Sequence, residues 1–164
     1  MLQPLLATDA SLARFAQRVV LGLVMLPHGL QKTVGWFGGY GFEGTMGFLT
    51  GSVGLPYVVA IAVIAAESLG ALALVAGAGA RVAAAGIAAV MTGAVLTAHL
   101  PHGFFMNWTG AQAGEGFEFH LLALALALPI VVSGAGGVSV DGWLAGRDRE
   151  RGALAADAGV RSRA

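Results

Sequence analysis

Seven polar side chains that lie within or beside long apolar segments are the residues of this chain best suited to do chemistry. They are His28, Gln31, Lys32, Glu67, His99, Glu118 and His120. In a hydrocarbon environment such groups are costly to expose, so we expect them to face protein or water. Imidazole, amide, ammonium and carboxylate groups can hydrogen-bond a ligand or carry protons. The sequence therefore predicts one polar site between apolar segments.

Glu67 lies near the middle of an apolar segment, between Ile64 and Leu72. A carboxylate there costs at least roughly 2–3 kcal/mol unless it is paired, protonated or hydrated. One interpretation is a proton carrier or a contact to a ligand. The other is an ion pair with Lys32 or His28 that only holds helices together. Both interpretations stay open, and Glu67 and His28 are the candidate catalytic residues.

His28, Gln31 and Lys32 stand at positions i, i+3 and i+4. On a helix this spacing places them on one face, where they can contact the same neighbour. The alternative for His28 is a neutral imidazole bonded to another helix. The alternative for Lys32 is a side chain that extends to the membrane interface.

His99 ends a third apolar segment, and Glu118 and His120 begin a fourth. On a helix, residues at positions i and i+2 point about 200° apart around the axis. Only one of Glu118 and His120 can therefore face a common interior point. We expect the site to open outward, with Glu67 deeper at its floor. The predicted cofactor-binding residues are His28, Gln31, Lys32, His99, Glu118 and His120.

Three ligands suit such a site, and a quinone ranks first. Histidine, glutamine or lysine can donate hydrogen bonds to quinone carbonyls, and Glu67 offers a route for protons. A metal ranks second, although no spacing of the H-E-x-x-H kind is present and no metal ligand is assigned. Haem ranks third, because His28 lacks an evident axial partner. The chain has no cysteine, which excludes thiolate ligands, disulfides and thiol redox relays.

The composition is that of a membrane protein, since 57% of the 164 residues are hydrophobic and 11% are charged. No polybasic surface suggests nucleic acid. We predict an all-α bundle of four transmembrane helices, with a short interfacial helix around Phe42, Met46 and Leu49 in the first outward loop. The predicted spans are approximately Leu12–Val34, Leu55–Val75, Arg81–Leu100 and Phe117–Ser133.

The positive charges predict the orientation of the bundle. Arg14, Arg18, Arg81 and the arginines of the tail fall on one side, and Lys32 falls on the other. By the positive-inside rule both termini are cytoplasmic and the glycine-rich and aromatic loops face outward from the cytoplasmic (inner) membrane. We expect Arg14 and Arg18 to extend from the start of the first span to the interface.

Four segments, taken in order, resemble the DoxX family of small four-helix membrane proteins of bacteria and archaea. They are Pro27–Thr45, Ala66–Arg81, His102–Phe105 and Phe117–Asp141. The resemblance covers roughly Arg14 to Leu144. It implies a redox or accessory role, because the family takes its name from a subunit of a quinone-linked enzyme and other members are linked to membrane oxidoreductase assemblies. It implies no role for particular residues.

The sequence thus predicts one DoxX-like membrane domain at residues 1–144 and a partly disordered, arginine-containing tail at 145–164. The expected function is an integral subunit or accessory protein of a redox system, and any enzymatic activity would be that of a quinone-linked oxidoreductase subunit. The first alternative is a non-enzymatic anchor or assembly protein. The second is a small oligomeric transporter or proton pathway. Expected partners are the lipid bilayer and other proteins or further copies of the chain.

Overall fold

A computed structural model describes Thr8 and residues 11–161, with side chains up to residue 151. This described part is helical and contains no strand. Short helical turns lie at Trp36–Gly38, Phe48–Ser52, Val95–His99 and Leu100–His102. The α-helices are α1 (Leu12–Thr33), α2 (Gly41–Gly47), α3 (Tyr57–Ala76), α4 (Ala80–Ala94), α5 (Glu118–Ser133) and α6 (Val140–Arg161).

The predicted apolar segments all form helices, and two are long and apolar enough to cross a membrane: Tyr57–Ala76, with 20 residues, and Ala80–His102, with 23. The second combines α4 with the turns that follow it, and we call it the α4 segment. Helix α5 is apolar but has 16 residues, or about 24 Å. Helix α1 has 22 residues but carries three cationic side chains. The described part of the chain is therefore all-helical, with two helices able by length and composition to cross a membrane.

Helices α1 and α3 approach each other closely at two glycines. A Cβ atom built on Gly29 would lie 2.5 Å from the Glu67 carbonyl oxygen, and one on Gly22 would lie 2.9 Å from the Ala71 carbonyl oxygen. Both separations are too short for a real side chain, so glycine permits this contact. The close approach fixes the register of α1 against α3.

Small residues also bring α4 and α5 together over the core. Ala84, Ala123 and Ala127 are buried between these helices beside Ile87 and Ile130. Such short side chains let the backbones come close, which increases van der Waals contact between membrane helices.

The loop between α1 and α3 contains a short helix, α2, where the sequence predicts one, and Leu49 lies in the helical turn that follows it. Met46 and Leu49 are buried in a small cluster with Ala60 and Ile64. Phe42 is 43% exposed. Helix α6 extends into the tail as far as Arg161, and the partial disorder predicted for residues 145–164 stays a prediction.

Arg18 does not extend to the surface as expected, because its side chain is fully buried. Its guanidinium donates to carbonyl oxygens at the end of α3 and in the connection between α5 and α6. The last carbonyls of a helix lack the usual N–H donors from the following turn, so the guanidinium helps to satisfy them, and the Leu74 carbonyl also accepts from the Gly77 N–H at 3.2 Å. The acceptors are the carbonyl oxygens of Leu74, Val75, Ala135 and Val138.

Asp141 caps the start of α4 from the first turn of α6. Its carboxylate accepts from the Gly79 N–H at 2.7 Å and from the Ala80 N–H at 2.9 Å. Its own N–H donates to the Gly77 carbonyl oxygen at 2.9 Å. A carboxylate at a helix N-terminus satisfies free N–H groups and complements the helix dipole. Arg18 and Asp141 thus form a structural cluster, which we call the inner cluster after the orientation that the sequence predicts.

Candidate functional site

A cavity of about 590 Å³ lies between α1, α3, α4 and α5, within the range of about 300–1,000 Å³ typical of small-molecule sites. Most of its wall is apolar, and the ionisable groups in the wall include five that the sequence singles out. The ionisable wall residues are His28, Lys32, Glu67, His99, Glu115 and His120. We call this the outer site, after the orientation that the sequence predicts.

Lys32 and Glu67 form an ion pair in the wall of this cavity. The Glu67 side chain is 6% exposed, while that of Lys32 is 25% exposed. Gly29 makes the pair possible, because its contact with the backbone of Glu67 brings the next turn of α1 over that carboxylate. The predicted ion pair of Glu67 is therefore present, with Lys32 as the partner.

His99 in the turn after α4 lies beside His120 on α5, with ring centroids 4.1 Å apart and ring planes tilted by 43°. His99 Nδ1 donates to the Glu115 carbonyl oxygen at 2.8 Å. The His120 Nδ1 atom is buried and has no hydrogen-bond partner within the described residues. A buried polar atom without a partner is costly, so this nitrogen is a natural contact point for a ligand.

His28 reaches the same cavity through an aromatic neighbour. Its ring centroid lies 5.5 Å from that of Phe119, which in turn lies 5.6 Å from that of His120. The three rings line the cavity together. This arrangement offers flat surfaces and ring nitrogens to a planar polar ligand.

Gln31 and Glu118 are not brought to the cavity. The Gln31 amide donates to the Phe37 carbonyl oxygen at 3.2 Å, in the loop after α1. The Glu118 carboxylate accepts from the Met106 N–H at 3.2 Å, and so holds the loop before α5. Between the two alternatives at the start of α5, His120 lines the cavity. The binding roles predicted for all these residues stay predictions.

Sequence reasoning missed Glu115, which lies in the wall and in the loop before α5. Its carboxylate accepts from the Asn107 N–H at 2.6 Å, and its carbonyl accepts from His99. Its position in the sequence, three residues before Glu118, could have indicated that it lies near the site. Among the described residues, no group of three or more His, Cys, Asp or Glu side chains has the geometry to hold a metal ion.

Residues 13–100 match the DoxX family, and this region is more than half of the chain. The protein therefore belongs to the DoxX family, which confirms the resemblance drawn from its motifs. The matched region includes His28, Lys32, Glu67 and His99, while His120 lies beyond it.

Among curated proteins, the chain is similar to one named "Putative oxidoreductase CatD" from Bacillus subtilis (strain 168). The two are 29% identical over 124 residues, which cover 76% of this chain and 81% of the relative. No solved structure matches the chain.

Proposed function

We propose that this protein is a DoxX-type membrane subunit or accessory protein of a redox system and that it binds a quinone in the outer site. One observation carries the proposal: a mainly apolar cavity ends in buried polar groups, among them the unpartnered Nδ1 of His120. A quinone has the matching chemistry, with carbonyl acceptors on a flat ring and an apolar tail. The name of the Bacillus relative, an oxidoreductase, supports the redox assignment.

In this proposal the imidazoles hold the ring, and the ion pair supplies charge and protons. His120 and His28 donate hydrogen bonds to the quinone carbonyls. Reduction to the quinol takes up two electrons and two protons, and an electron-donating partner protein supplies the electrons. Glu67 exchanges protons with the site while Lys32 stabilises its charged form.

The proposed topology places α1, α3, the α4 segment and α5 across the cytoplasmic membrane with both termini inside. The cationic side chains at the start of α1 and in α6 support this orientation. Lys32 lies in the last turn of α1 and His120 in the first turn of α5, so in this topology the site lies at the outward ends of these helices.

The ion pair favours a second candidate function, that of a membrane anchor for partner proteins. Lys32 and Glu67 satisfy each other's charge without a ligand. In that case the polar groups serve only to hold helices together, and purified protein would contain partners but no quinone.

The test compares quinone binding by the purified protein and two variants in nanodiscs. His120→Phe keeps a ring but removes both nitrogens, so we expect affinity for menadione to fall roughly 3- to 10-fold, as for one lost hydrogen bond. Gln31→Ala is the matched control, since Gln31 lies near the site but outside its wall. Equal affinity of all three proteins, or no binding to the parent protein, would refute the proposal.

A further inference from the structure

The gap between α3 and the α4 segment widens toward the outer site. Near its base, a Cβ atom built on Gly86 would lie 3.4 Å from the Ala66 side chain, an ordinary close helix contact. Seven residues later, a Cβ on Gly93 would meet no atom within 4 Å. Seven residues correspond to about 10 Å along a helix. The two helices therefore diverge over this distance and leave a crevice.

This crevice is part of the same cavity as the polar groups. Val59 and Ala62 on α3 line one side of it, and Ala89 and Gly93 on α4 line the other. The side chains are apolar and small, and Val59, Ala62 and Ala89 are exposed. Within the described residues, α3 and the α4 segment are the two helices long and apolar enough to cross a membrane, so in the proposed topology the crevice opens toward lipid.

We propose that the crevice is a lateral entrance that holds the isoprenoid tail of the quinone while the ring occupies the polar end. This inference rests on the proposed function and goes beyond it, because it specifies a long-tailed quinone that enters from the bilayer. The continuity of an apolar crevice with a buried polar end is the argument. A water-soluble ligand would need no opening to lipid, and a purely apolar one would leave His120 without a partner.

The test fills the crevice without touching the polar groups. Gly93→Leu adds a side chain where no protein atom lies within 4 Å. In nanodiscs we expect its affinity for a menaquinone with a long tail to fall at least tenfold, while its affinity for tailless menadione stays within twofold of the parent protein. Ala85→Leu is the matched control, since Ala85 is exposed on the same helix but does not line the cavity. Ala89→Leu replaces the test variant if Gly93→Leu does not fold.

Any other outcome refutes the proposal of a lateral entrance. Equal losses for both quinones would mean that the substitution disturbs the ring site, and unchanged affinity for both would mean that the tail lies elsewhere. Displacement of a co-purified phospholipid with no change in menaquinone affinity would assign the crevice to an acyl chain. If the parent protein binds neither quinone, the proposed function itself fails, whereas binding of menadione alone would preserve that function and refute the entrance.

Discussion

The two ends of the helical bundle hold polar groups in opposite ways. In the inner cluster, all three guanidinium nitrogens of Arg18 donate to carbonyl oxygens, and both carboxylate oxygens of Asp141 accept from backbone N–H groups. In the outer site, Lys32 pairs with Glu67 beside a cavity of about 590 Å³, and the His120 Nδ1 has no partner in the described structure.

This difference separates a structural role from a ligand-binding one. A buried network whose polar groups are all hydrogen-bonded stabilises the fold and has no free donor or acceptor for a ligand. A buried nitrogen without a hydrogen-bond partner costs free energy, and a ligand that bonds to it removes that cost. Substitutions at the inner cluster should therefore reduce stability, and those at the outer site should reduce binding.

The largest expected effect is that of Arg18→Met. The substitution keeps an apolar stem but removes the guanidinium donors from the carbonyls at the end of α3 and before α6, so we expect a loss of roughly 3–5 kcal/mol in the free energy of unfolding. Denaturant unfolding in detergent micelles measures it. Arg149→Met, at an exposed arginine, is the control and should change stability by less than about 0.5 kcal/mol. A similar small change for Arg18→Met would show that the inner cluster is not structural.

A smaller effect is expected where α1 crosses α3. In Gly29→Ala the new Cβ would lie 2.5 Å from the Glu67 carbonyl oxygen, so the helices must move apart. We expect a loss of roughly 1–3 kcal/mol, as for an overpacked core. Gly93→Ala is the control, because its Cβ would meet nothing. Thermal unfolding checks both variants, and equal melting temperatures would contradict the tight crossing.

The sequence predicts much of this fold because apolar length and the cost of buried charge are local properties. The four apolar segments become helices close to the expected bounds, and Glu67 finds the cationic partner that its position demands. The geometry of a helix also predicts correctly that Glu118 and His120 separate.

The features that the sequence does not predict depend on contacts between segments that are distant in the chain. Asp141 caps a helix that begins 61 residues earlier in the chain, and no local pattern indicates that contact. The spacing of Gln31 and His28 places them on one helix face. The Gln31 amide nevertheless donates to the Phe37 carbonyl in the loop after α1 and does not line the cavity. Arg18 was expected at the interface because the bundle that buries it is not visible in the sequence.

The smallest expected effect on stability, and the one that tests the comparison most directly, is that of Glu67→Gln. Gln has nearly the same shape as Glu, and the freed Lys32 is already 25% exposed at the end of α1. Its ammonium can therefore turn toward water, and we expect the free energy of unfolding to fall by no more than about 1 kcal/mol.

Proton exchange with a bound quinone should nevertheless be lost in Glu67→Gln, because an amide cannot take up a proton as a carboxylate does. Unfolding in micelles and quinone reduction by isolated membranes give the two readings. A loss of several kcal/mol would instead place this ion pair with the inner cluster, as a structural element.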